Sequence, residues 1–171
     1  RAMTDLIAGH KNISSAVYGH RFAGVLLRPS TSVADTELPT SDLRLYKMMG
    51  EKGEKITGYP ALSVFHDYRY EPKSVIQGTE NWFYETLGIV SWTVEYWAPH
   101  RQAGVDVYHC IEWFDEHSVD DDIKMLHWSD SVLAGQGYID WYEFDHPVLG
   151  QVELGGWNVL QSICNPPNHL I

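Results

Sequence analysis

The stretch Leu87-Gly-Ile-Val-Ser-Trp-Thr-Val-Glu-Tyr-Trp97 constrains what this chain can fold into more than any other. It is apolar and β-rich, and it carries one carboxylate, Glu95, near its end. Alternation along a strand puts Ser91, Thr93 and Glu95 on one face and Trp92, Val94 and Tyr96 on the other. An ionised carboxylate at the end of a buried strand is costly to desolvate unless something compensates it. Open α/β sheets bind ligands at the carboxyl ends of their strands, where such a group would lie. Two readings follow: a strand that simply emerges into solvent at Glu95, or a functional carboxylate held at a strand end.

The remaining features bound the answer. The 171 residues fit one domain, or one domain with an appendage. With 44% hydrophobic and 20% charged residues, the chain can bury a core. The net charge of −11, from 23 acidic against 12 basic residues, argues against nucleic acid or an anionic membrane surface as partner. No apolar run approaches a membrane span. Cys110 and Cys164 could pair or be buried thiols, so compartment stays open between cytoplasm and secretion. The chain starts at Arg1 and stops at Asn165-Pro-Pro-Asn-His-Leu-Ile171 with no closing element, which reads as a piece of a longer polypeptide.

Periodicity and punctuation predict the elements. A helix ends near His10, with Gly9 as its stop. Strands cover Asn12–Tyr18 and Gly24–Arg28, joined by a turn through Gly19-His20-Arg21-Phe22-Ala23. Residues 29–41 read as a surface loop. Ser41 or Asp42 caps a helix to Thr57 that Gly50 and Gly53 weaken. Residues 61–78 read as an aromatic loop. Thr79 caps a short helix, Glu80–Thr86, before the opening strand. Pro99–Gln102 reads as a break, and Val105–His117 as helical. Ser118 with Asp120, Asp121 and Asp122 makes a helix start, and Gly135 ends that helix. Tyr138–Phe144 and Gln151–Leu154 suit a hairpin around His146-Pro-Val-Leu-Gly150.

Few motifs carry chemistry on their own. His20, at a strand-to-turn junction, is where a side chain meets a crevice, although a lone histidine is more often structural. His109-Cys-Ile-Glu112 has a spacing that puts both side chains on one helix face and can hold zinc, but one match among nine histidines reads as coincidence. Trp82, Trp92, Trp113 and Trp128 sit at spacings suited to packing. Nucleotide-binding glycine loops, a Walker lysine, a nucleophile elbow and a Cys-x-x-Cys pair are all missing from the sequence.

The order of parts resembles the second half of a zinc metallocarboxypeptidase of the carboxypeptidase A/B superfamily. Asn12-Ile-Ser-Ser-Ala-Val-Tyr-Gly-His-Arg-Phe-Ala-Gly-Val-Leu-Leu-Arg-Pro29 resembles that family's strand ending in its third zinc ligand. The resemblance gives that role to His20. Gly78-Thr-Glu-Asn-Trp-Phe-Tyr-Glu-Thr-Leu-Gly88 resembles the helix lining the specificity pocket. Ile89-Val-Ser-Trp-Thr-Val-Glu-Tyr-Trp97 resembles the strand with the catalytic glutamate, the role it gives to Glu95. By the same likeness Tyr70, with Tyr68 second, matches the tyrosine that moves over the bound C-terminal residue. Thr93 and Glu80 fall where the family lines its specificity pocket. An acidic Glu80 would suit a basic C-terminal residue, and a solvent-facing glutamate at a helix start is the plainer expectation. Phe144-Asp-His-Pro-Val-Leu-Gly and Val152-Glu-Leu-Gly-Gly-Trp157 resemble the extension of bacterial members.

The resemblance implies an α/β chain, part of a mixed-sheet carboxypeptidase-like fold with helices on both faces. Residues 1–100 would be the C-terminal half of the catalytic domain, and 101–171 an extension of helix and β-hairpin. It implies zinc as cofactor and a peptide as substrate, with Glu95 as general base. The family's other two zinc ligands, a His-x-x-Glu pair, lie upstream of the third, and no His-x-x-Glu precedes His20. The pair at His109 and Glu112 comes after the catalytic strand, in the wrong order. The chain is therefore expected to bind zinc poorly and not to hydrolyse peptides alone. Two alternatives stand beside this: a catalytically inactive binding or structural domain on the same fold, and an aromatic-rich carbohydrate-binding module.

Overall fold

Strand β4 (Val90–Tyr96) is buried over Ser91–Glu95, as its β-rich run requires. It lies inside a mixed four-stranded sheet in a computed structural model that describes residues 2–69, 78–105 and 109–168. β1 (Ser15–Arg21) runs parallel to β4 on one side. β2 (Val25–Arg28) runs antiparallel to it on the other, and β3 (Ala61–Ser63) pairs parallel with β2. Helices α1 (Ala2–Gly9), α2 (Thr40–Thr57), α3 (Val64–Asp67) and α4 (Thr79–Leu87) complete the first of two compact units, Arg1–Tyr96.

The core of this unit forms where Trp92 and Val94 meet Leu26 and Tyr46, with Tyr84 and Ala61 packed alongside. Tyr46 is fully buried, and its hydroxyl accepts the Ser91 N–H at 3.2 Å. On the other side of β4, the Ser91 hydroxyl donates to the Glu80 carbonyl at 2.6 Å, which ties α4 to the strand. Both longer helices of the unit end on glycines in the left-handed region, Gly58 and Gly88, as a C-terminal stop without a Cβ favours.

Several expectations need correction. β1 runs from Ser15 through Arg21, not over Asn12–Tyr18, so His20 lies inside the strand and not in a turn. Pairing with β4 carries the extended backbone through Gly19, whose missing side chain admits the Tyr96 ring. Helix α2 begins at Thr40 after Pro39, with no side-chain cap from Ser41 or Asp42. Part of the expected aromatic loop is ordered as β3 and α3, with the Ser63 hydroxyl accepting the His66 N–H at 3.3 Å. These elements are too short to leave a periodic signal.

The second unit, Trp97–Ile171, holds α5 (Pro99–Gln102), α6 (Cys110–Asp115), α7 (Val119–Val132), a hairpin of β5 (Tyr138–His146) and β6 (Gly150–Trp157), and α8 (Val159–Ser162). The expected break at Pro99–Gln102 is a single helical turn, because proline suits the first helical position. Ser118 caps α7 by accepting the Asp121 N–H. Trp113 packs with Ala98, Val105 and Met125, and Trp128 with Trp97 and Leu133. Trp92, Trp113 and Trp128 are thus core residues. Cys110 and Cys164 are free thiols. Among the described residues no helix is long and apolar enough to cross a membrane.

The glycines of α2 have opposite consequences. A Cβ at Gly50 would meet the Ala61 Cβ at 2.8 Å and the Trp92 ring at 3.2 Å, so the helix rests directly on the sheet there. At Gly53 only the end of the Leu26 side chain stands in the way. Gly50→Ala is expected to lose roughly 1–3 kcal/mol to overpacking, against about 1 kcal/mol of helix propensity gained. Gly53→Ala should hold or raise stability. Urea denaturation of the two variants measures the contrast.

Candidate functional site

The parallel register sets His20 directly opposite Glu95, one residue short of the carboxyl ends of both strands. Their side chains meet. His20 Nδ1 lies 2.9 Å from Glu95 Oε2 and 3.1 Å from Oε1. An ionised carboxylate only accepts, so with Glu95 charged it is Nδ1 that carries the proton. Glu95 is only 6% exposed, whereas the His20 side chain is 56% exposed. A buried base is therefore reached from solvent past an exposed imidazole.

Glu80 lies in the same neighbourhood. It is buried, contrary to the expectation of a solvent-facing glutamate at a helix start. Its Oε2 accepts the Thr93 hydroxyl proton at 2.7 Å. Gly78 makes the room, since a Cβ there would collide with the Glu80 carboxylate. Ser91, Thr93 and Glu95 share a face of β4, so one strand face holds Glu80 in place and presents Glu95 beside His20. The signal that could have revealed this was the glycine two residues before Glu80.

Burial pushes the Glu95 carboxyl up from its ordinary 4.5. The His20 hydrogen bond opposes that shift, and the nearby Glu80 carboxylate adds to it. A carboxyl whose proton affinity is raised by burial, beside an imidazole and close to a strand end, is suited to accept and return protons.

A part-buried ion pair stiffens the connection after β2. Arg28 donates to both oxygens of Asp35, at 2.8 and 2.7 Å, and to the Pro29 carbonyl at 3.0 Å. This bidentate contact holds the Asp35 carboxyl below its ordinary value. Asn81 Oδ1 accepts the Thr31 N–H at 2.9 Å and ties that loop to α4. Nothing in the local sequence pairs Arg28 with Asp35.

Tyr70 falls outside the described residues; Tyr68, its second, is half-buried at the C-terminal end of α3. His109 immediately precedes α6 in an extended conformation, so it does not share a helix face with Glu112. Among the described residues no group of three His, Cys, Asp or Glu side chains is placed to hold a metal ion. No protein-family model and no curated protein matches this chain.

The raised Glu95 value has a definite sign. The folded state binds that proton more tightly than the unfolded chain, so Glu95 contributes most stability below about 4.5. That contribution is lost as pH rises through the folded value. Glu95→Gln keeps the shape and removes the charge. It should match the wild type near pH 4 and exceed it in urea midpoint at neutral pH. A wild-type advantage that grows toward pH 7 would mean that the His20 contact outweighs burial.

Proposed function

We propose that the first unit carries the base side of a peptide-hydrolysing site of the metallocarboxypeptidase type, which removes a C-terminal residue. The observation that carries this reading is the His20–Glu95 contact, set in register at adjacent carboxyl ends of parallel strands. In this reading Glu95 takes the proton of the attacking water and passes it to the leaving amine. Burial raises its proton affinity toward that task. Glu80, hydrogen-bonded by Thr93, is the carboxylate that would favour a basic side chain at the substrate terminus.

Zinc is the cofactor such a reaction implies, and the described residues do not fit it by themselves. His20 is a single donor, and its Nδ1 is engaged by Glu95. Catalytic zinc sites of this class take three protein ligands. The missing pair would be a His-x-x-Glu on a segment outside the described residues.

The 171-residue chain alone is expected to hold less than stoichiometric zinc by metal analysis, and to leave an N-blocked dipeptide intact. Joined in one polypeptide to a segment bearing His-x-x-Glu, it should release the C-terminal residue. Glu95→Gln should then slow turnover by about 10²–10⁴-fold. Stoichiometric zinc with turnover by the chain alone would overturn the missing-ligand half of the proposal. Undiminished turnover by Glu95→Gln would overturn the role of the base.

A further inference from the structure

The hairpin of β5 and β6 is a two-sided ribbon whose faces differ in chemistry. Register pairs Tyr142 with Leu154 and Phe144 with Val152, so these four side chains share one face. Glu143 opposite Glu153, and Asp145 opposite Gln151, form the other. The apolar face is open: Tyr142 is 50% exposed, and Phe144 and Leu154 are each 39% exposed. An isolated two-stranded ribbon is marginal in water, and an apolar face on one adds to the imbalance.

The charge pattern says what covers it. From Met125 to Ile171 the chain has no lysine or arginine, and it has five carboxylates: Asp130, Asp140, Glu143, Asp145 and Glu153. Glu143 and Glu153 face each other across the strands, a like-charge pairing that destabilises a sheet. The cation that would relieve it is not in this part of the sequence. A second copy of the chain is a poor candidate, since it would bring the same acidic face and a net charge of −11.

The sheet has two strands, so the outer edges of β5 and β6 are both unpaired among the described residues. Natural edges are commonly blunted with lysine or proline, and β5 contains neither. Its register is irregular between Ile139 and Tyr142, which leaves Tyr142–His146 as the regular stretch.

We propose that the β5 edge is a docking site for a basic protein segment that adds as a third strand, with Lys or Arg alternating with apolar residues. Alternation at period two is what the ribbon reads. The segment's apolar side chains cover Tyr142 and Phe144, while its cations lie beside Glu143 and Asp145. Backbone pairing supplies affinity, and the two faces together supply register.

The probe is acetyl-(Val-Lys)4-amide titrated into the full chain at low salt, followed by calorimetry and by amide exchange of β5. Saturable binding with a dissociation constant below about 100 µM is expected, with slowed exchange over Tyr142–His146. The double variant Glu143→Gln/Asp145→Asn, which leaves the apolar face intact, should weaken binding at least about tenfold. So should replacing Val by Ser, or Lys by Glu, in the peptide. Absence of saturable binding overturns the proposal. So does equal binding of either control peptide, or an unchanged affinity of the double variant. A dimer of the chain in sedimentation that protects the same β5 amides would assign the edge to a second copy instead.

Discussion

The parallel pairing of β1 with β4 is the interaction on which the first unit depends. β4 is buried over five consecutive residues, and it brings a carboxylate into that environment at Glu95. The unit tolerates this because the neighbouring strand delivers an imidazole to the same level. A slip of one residue in that register would turn His20 to the other face and leave Glu95 facing a backbone. The Trp92 and Val94 side of the strand rests on α2, and the Thr93 side is fastened to α4 through Glu80. Register, core and polar cluster are therefore one arrangement seen from three directions.

The pair also illustrates how burial and hydrogen bonding divide the work on a titrating group. Desolvation dominates at Glu95 because a strand interior offers the charged form little. At Asp35 the balance reverses, because Arg28 grips both oxygens in a planar fork. Two carboxylates of one small unit are thus displaced in opposite directions by their partners. The one with the weaker partner is the one suited to move protons.

Much of this fold was legible in the residues. β4, α7 and the β5–β6 hairpin each had a period, a cap or a turn strong enough to fix their kind, and the structure has them. What stayed hidden was non-local or too short. β3 and α3 span three and four residues and owe their form to neighbours. β1 was expected to end at Tyr18, with a turn from Gly19; pairing with β4 carries the strand on to Arg21. Glu80 looked like a helix-start residue bound for solvent, and only the room over Gly78 and the Thr93 hydroxyl reverse the expectation. Glu95 stood out from the start as a carboxylate out of keeping with its strand. That its partner is His20, 75 residues earlier, is a fact of topology that no local pattern contains.

The contrast in exposure within that pair has a further consequence. The imidazole works as a stopper over the carboxylate: while Nδ1 points inward, Glu95 is satisfied and shut off from solvent. Anything that draws the ring away, whether an ion, a ligand group or a rotation about χ1, uncorks the acid in the same motion. Capture of the histidine and release of the glutamate are then a single event.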